Sequence, residues 1–195
     1  MKKILGISGS PRKDGNTSYT VNYALDILAQ KGFETRFITL AGRDIHPCTG
    51  CWSCSGTGKC VYRDGMEEIL LALQWCDGLL LASPVYFGMV SGQMKTMMDR
   101  CACIRAKYGD DLLMAGKVGG AIACANSRNG GQETTLQNIQ TFLLQMNMLV
   151  VSDGLPYCHS GGTIMSDAAK DAWGLETVGN LAANLGKMLS RPHAR

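Results

Sequence analysis

The sequence is short of charge. Lys, Arg, Asp and Glu make up 18% of its 195 residues, and they balance to +3. So small an excess makes no electrostatic case for a nucleic-acid or membrane-surface partner. Sparse charge beside plentiful Gly, Ala and Met also leaves little with which to cover a monomer, which favours an oligomer. Long apolar runs are missing too. Nothing approaches a membrane span, and the run that follows Lys2-Lys3 stops after Ile7, too short for the core of an export signal. An odd number of cysteines, nine, without such a signal points to a reducing cytoplasm rather than a disulfide framework. In that setting the sequon Asn16-Thr17-Ser18 carries no meaning. Nucleotide fingerprints are absent: no Gly-Lys-Ser/Thr tripeptide closes a phosphate loop, and Gly6 and Gly9 do not form Gly-x-Gly-x-x-Gly. NADH and NADPH therefore cannot be told apart here. With no repeat or linker, residues 1–195 read as one domain with a cysteine-rich excursion over 41–61.

What the chain does have is a block of thiols. Cys48, Cys51, Cys54 and Cys60 fall within thirteen residues, three of them spaced by three, with Gly50, Gly56 and Gly58 between. That spacing lets one loop wrap its thiolates around a compact inorganic centre. It resembles the C-x2-C-x2-C part of a bacterial ferredoxin, which holds a cubane of iron and sulfide. The glycines supply backbone angles that other residues resist. Zinc is a weaker match, because its knuckles are usually separated by a longer segment. An empty loop, or one used for thiol signalling, stays open.

The rest of the chain alternates strand and helix. Lys2–Ser8 is a short apolar run bounded by glycine, hence a buried first strand. Asn16–Lys31 has helical apolar spacing and ends at Gly32, and Phe33–Leu40 is a second strand. Strand, tight loop, helix, strand is a parallel crossover unit. The turn places Ser8, Ser10, Arg12, Asn16, Thr17 and Ser18 around a helix N-terminus, where free N–H groups and the helix dipole favour an anion. A phosphate monoester such as that of FMN suits it; an ordinary capped turn is the alternative. The cysteine loop leaves the carboxyl end of strand two, the edge at which open α/β sheets hold ligands. Asp64 and Glu67 then read as a capping box for a helix reaching about Trp75, with Cys76 a buried small residue. A third strand, Gly78–Ser83, runs into Ser83-Pro84-Val85-Tyr86-Phe87-Gly88, a loop suited to lie along a flat ring or simply to plug the core. Ser91 caps a helix over about 92–106, whose Met94, Met97 and Met98 form a contact surface toward core or partner, and whose Cys101 and Cys103 face apart. Lys117–Cys124 is a fourth strand, followed by a loop with Asn126 and Arg128 as ring or substrate contacts. Met148–Ser152 is a fifth strand, Leu155–Ser166 a Gly-rich segment with a solvated His159, and Asp167–Leu189 a closing helix.

Taken together, Gly-Ser-Pro-Arg-Lys-Asp-Gly-Asn-Thr-Ser at 9–18, the cysteine block at 48–60, Ser-Pro-Val-Tyr-Phe-Gly at 83–88, Lys95 through Asp99-Arg100, and Gly-Gly-Gln-Glu at 130–133 resemble the NADPH-dependent FMN reductase superfamily. Within it the chain is most similar to the iron–sulfur flavoprotein branch. It departs from the ferredoxin pattern in having Val61, not proline, after Cys60 and Pro47 before Cys48. The resemblance implies an α/β, flavodoxin-like, doubly wound five-stranded parallel sheet, with FMN at the strands' carboxyl ends. Its phosphate would lie on 8–18, its ring against Pro84–Gly88 with Asn126 nearby. The resemblance further implies a homodimer or homotetramer in which a second subunit helps to cover the flavin.

Three functions follow as expectations. In the first, a [4Fe–4S] cluster on Cys48, Cys51, Cys54 and Cys60 connects a ferredoxin-like donor to FMN and a small-molecule acceptor, with no side chain acting as nucleophile. In the second the cluster is absent and NAD(P)H reduces the flavin for a flavin or quinone acceptor. In the third the thiol loop is a non-enzymatic sensor that signals to a partner protein.

Overall fold

Alternation along the strands decides the architecture. In the computed structural model, which describes residues 1–106 and 112–191, β1 (Lys3–Ser8) sends Leu5 and Ile7 to one face of the sheet and Ile4 to the other. β3 (Gly78–Pro84) repeats this with Leu79 and Leu81 against Leu80 and Ala82. Both faces of each strand are buried, so each reads as an unbroken apolar run. Helices cover both sides. α1 (Asn16–Gln30) and α6 (Ala172–Leu189) close one core. The other lies under α2 (Met66–Trp75), α3 (Gly92–Arg100), α4 (Ala102–Ala106) and α5 (Gln132–Gln145).

The parallel order is β2 (Glu34–Thr39), β1, β3, β4 (Val118–Ala125), β5 (Leu149–Val150), with β6 (Gly162–Met165) also on β4. This is the doubly wound order expected, and it reverses direction beside β1, where ligands of such sheets lie. Register aligns the carboxyl ends. Ser8 pairs with Thr39 and with Ala82, and Pro84 pairs with Cys124. The loops singled out in the sequence therefore leave the same edge.

Four expectations need correcting. The fifth strand is split: β5 pairs with Val118 and Gly119, β6 with Ile122 to Ala125, and residues 151–161 loop out between them. Polar Ser152-Asp153-Gly154 ends the first half, and the supposed Gly-rich segment supplies the second. The closing helix starts at Ala172, capped by Asp171, whose carboxylate accepts from Gly174 N at 2.9 Å. The helix over 92–106 breaks at Cys101, whose N–H is shared between the carbonyls of Met97 and Met98. Met94, Met97 and Met98 all face the core. Finally, the capping box does not form: the N-cap of α2 is Gly65, Glu67 pairs with Arg63 at 2.8 Å, and Asp64, one residue before the cap, is engaged as described below. Ser91 does cap α3, accepting from Met94 N at 3.1 Å.

Candidate functional site

The residues expected around a phosphate divide into two groups. α1 begins at Gly15 with no side chain capping its first turn, so its leading N–H groups point outward with no side-chain acceptor. Arg12 is exposed beside them, Ser10 Oγ accepts from Arg12 N at 3.1 Å, and Thr17 is buried at the turn. Ser8 and Ser18 instead bond each other at 3.1 Å inside the fold, leaving one hydroxyl proton between them unspent. Asn16 is engaged as well: its amide donates to the Ser166 carbonyl and accepts from Ala168 N at 3.2 Å. It pins α1 to the segment before α6.

The second loop is held rather than free. Ser83 is buried, and its Oγ accepts from Ser91 N at 2.9 Å; Ser91 Oγ in turn donates to the Gly9 carbonyl. Val85 N reaches the Cys124 carbonyl at 2.9 Å, and Tyr86 and Met89 close a tight bridge. At its tip Phe87 takes a left-handed φ of 52° and is fully exposed, with Tyr86 and Met89 exposed on either side. Gly88 rests on the start of α5. Thr134 Oγ1 donates to its carbonyl at 2.7 Å, and Gly131, at φ 102°, has no room for a Cβ, which would lie 2.5 Å from Gly88 Cα. Gln132 braces the third loop, accepting from Gly130 N and donating to the Ser127 carbonyl, both at 3.0 Å. Asn126 is exposed on that loop. An uncapped helix start, a fully exposed aromatic on a braced turn and a neighbouring amide fit a phosphate at one end and a flat ring at the other.

The cysteine block forms a distinct centre. Cys48, Cys51, Cys54 and Cys60 line one cavity of about 90 Å³, together with Trp52, Tyr62, Arg100 and Cys103. All nine cysteines are free thiols. Burial raises the Cys54 thiol, and the closeness of Cys60, Cys51 and Cys48 adds to the rise; Cys51, at the mouth, is lowered by hydrogen bonds from Ser53. Among the described residues no three ligating side chains converge on one point as they would around a single ion. A cubane asks for something else, one thiolate per corner around a wider centre. Four thiols on the wall of a small cavity match that demand.

Arg100 and Asp64 clamp the base of this loop. Arg100 Nη1 donates to Asp64 Oδ2 at 2.6 Å and to the His46 carbonyl at 2.7 Å, while Nη2 donates to Asp64 Oδ1 at 3.0 Å. Asp64 also accepts from His46 N and Met66 N, each at 3.0 Å. Tyr62 stacks on His46 with centroids 3.9 Å apart and lies under the guanidinium at 5.2 Å. Burial by itself would raise Asp64, but the bonds from Arg100 and the two backbone amides pull it down to about 2 from 3.8. A depressed carboxylate adds stability above its unfolded pKa and loses it as pH falls through the folded one. Acid titration of the wild type against Asp64→Asn is therefore expected to show a difference of roughly 2 kcal/mol above pH 4 that vanishes near pH 2. A difference constant across that window would contradict the assignment.

Sequence reasoning passed over Cys103. It is buried, yet it stands in the cavity wall beside Cys54 and Cys60; burial pushes its thiol up to about 11. Cys101, two residues back, is enclosed in the core, so the two do face apart as expected. The role of Arg100 was also missed, since only the tertiary fold brings it to Asp64. His159 is half-exposed and holds the buried Asp153 through Nδ1 at 3.0 Å, fastening the excursion inside the split strand rather than joining the ligand edge. Lys95 and Asp99 form an exposed ion pair at 2.7 Å.

Comparison with known proteins matches residues 2–162 to the model of the NADPH-dependent FMN reductase family. An iron-sulfur flavoprotein of Methanocaldococcus jannaschii is 46% identical over 191 residues, covering 96% of this chain and 97% of that one. An iron-sulfur flavoprotein of Methanosarcina thermophila is 37% identical over 183 residues, covering 94% and 93%. A solved flavodoxin, a WrbA-like protein from Agrobacterium tumefaciens, superposes with a TM-score of 0.69 at 18% identity, covering 97% of this chain and 98% of that one. At that identity it speaks for the flavodoxin-like fold alone.

Proposed function

The chain belongs to the NADPH-dependent FMN reductase family and is an FMN-dependent oxidoreductase, and from that premise we propose that it is an iron–sulfur flavoprotein that relays electrons from a ferredoxin-like donor to a small acceptor. The observation that carries this reading is the single cavity walled by Cys48, Cys51, Cys54 and Cys60. When bound there, a [4Fe–4S] cluster supplies one-electron transfer, and FMN at the sheet edge joins it to two-electron chemistry.

This chain's own residues bind, orient and insulate. The uncapped turn before α1, with Arg12, Ser10 and Thr17, holds the phosphate. Ser83 and Gly131 fix the Pro84–Gly88 turn so that its backbone and Phe87 meet the ring, with Asn126 at its polar edge. A second copy of the chain covers the exposed Tyr86, Phe87 and Met89, making a homodimer or a higher assembly. No side chain acts as nucleophile.

Iron, acid-labile sulfide and FMN per chain, measured on protein purified without oxygen, test the reading. About four irons and four sulfides beside one FMN are expected. Replacing Cys48, Cys51, Cys54 or Cys60 singly by Ala is expected to cut iron to below half while leaving FMN bound. Cys103→Ala is expected to keep the full iron content, since four thiols already suffice. Negligible iron in the wild type, even after anaerobic reconstitution, would overturn the relay and leave an NAD(P)H-dependent flavin reductase.

A further inference from the structure

One nitrogen of Arg100 makes no hydrogen bond among the described residues. Its side chain is only 1% exposed. Both terminal nitrogens are committed to Asp64 and the His46 carbonyl, but Nε is buried without a partner among the described residues. An orphaned donor on a buried cation is costly unless something in the finished protein accepts from it. The residue lies in the wall of the thiol cavity, with Cys60 close enough to count among the groups that act on its charge. The fork to Asp64 and the ring of Tyr62 beneath leave the guanidinium no freedom to turn away. Among the described residues nothing accepts from that donor, and a thiolate carrying iron would be suited to do so.

We propose that Arg100 sets the reduction potential of the cluster, its Nε–H donating to the sulfur of Cys60 at the cavity wall and its buried charge opposing the negative charge gained on reduction. The inference rests on the cluster reading above. A hydrogen bond to a ligating sulfur and a positive charge beside it both favour the reduced state, so they raise the potential. Asp64 then has a second part: it keeps the cation buried and aimed.

The test is an anaerobic redox titration that follows the cluster by electron paramagnetic resonance and the flavin by absorbance in the same sample. Arg100→Gln is expected to lower the cluster's midpoint by at least tenfold in the reduced-to-oxidised ratio, about 59 mV for one electron, with the flavin midpoint moving much less. Arg100→Lys keeps the charge and the pairing to Asp64 but loses the directed Nε–H. It is expected to fold where the Gln variant does not, and to show a smaller fall of the same sign. A full cluster whose midpoint is unmoved in Arg100→Lys, and in Arg100→Gln where that variant folds, overturns the role of Arg100 and leaves it a structural clamp. A wild type that takes up no iron overturns the cluster reading, and this inference with it, and is distinguishable from the first failure by the iron assay alone.

Discussion

Asp64→Ala is expected to destabilise the protein by about 3–5 kcal/mol, the cost of leaving one member of a buried ion pair without its partner. Arg100 would remain in the interior with its two strongest acceptors gone, and the amides of His46 and Met66 would lose theirs. For a chain of this length the melting temperature should fall by roughly 10 °C. Asp99→Ala is the matched control. Its pair with Lys95 is about half exposed on both sides, and removing it should cost less than about 1 kcal/mol. Urea denaturation of both variants decides the matter: equal losses would mean that the pair at the base of the cysteine loop carries no special weight. Asp64→Asn, which keeps the shape and one of the two accepting oxygens, should fall between them.

The second large effect is expected at Gly131. Alanine there places a methyl 2.5 Å from Gly88 Cα at a φ of 102°, so the strain cannot be relieved by a side-chain rotation. Either the start of α5 or the Pro84–Met89 turn must move, and Thr134 loses its hold on the Gly88 carbonyl. Both elements face the proposed flavin ring, so FMN affinity should drop by about ten- to a hundredfold, equivalent to roughly 1.4–2.8 kcal/mol. Gly32→Ala separates strain from position. Its φ of 86° is also left-handed, but nothing lies within 4 Å of the added methyl. It should cost some stability and leave flavin binding unchanged. Titration of each flavin-free variant with FMN, read by fluorescence quenching, makes the comparison. Unchanged affinity in Gly131→Ala would mean that the contact with Gly88 does not shape the flavin site.

Local signals in the chain were enough to place the sheet and the edge at which its loops gather. β1 and β3 are continuous apolar runs ended by Ser or Pro, and no other element suits such runs in a strand–helix alternation. The cysteine spacing is likewise a local property, and the four thiols meet at one cavity. What escaped was tertiary. Spacing turns Cys101 and Cys103 apart but does not say which of them meets the thiol cavity; the tertiary fold makes that Cys103. Asp64 looked like a cap because a cap needs nothing beyond its own neighbours, whereas its chief partner is 36 positions away. Asn16 and Ser18 are expected beside a phosphate because amides and hydroxyls at a helix start serve anions; that the first also ties two segments together and the second pairs with Ser8 is visible only in the tertiary fold. The split fifth strand was hidden because its halves lie on either side of a polar excursion, so neither alone shows a full strand's run.

The clamp between His46, Asp64 and Arg100 bears on how the proposed metal centre would be assembled. Closing a flexible loop as long as residues 47–63 costs on the order of 2–3 kcal/mol of chain entropy. Here the hydrogen bonds at the loop's base bring its ends together before any iron arrives. Incoming iron and sulfide therefore have only the tip of the loop to order. Small zinc domains are different, because binding and folding are there a single event. The scaffold and the proposed inorganic core are thus expected to be separable: removing and restoring the cluster would leave the sheet and its proposed flavin edge folded.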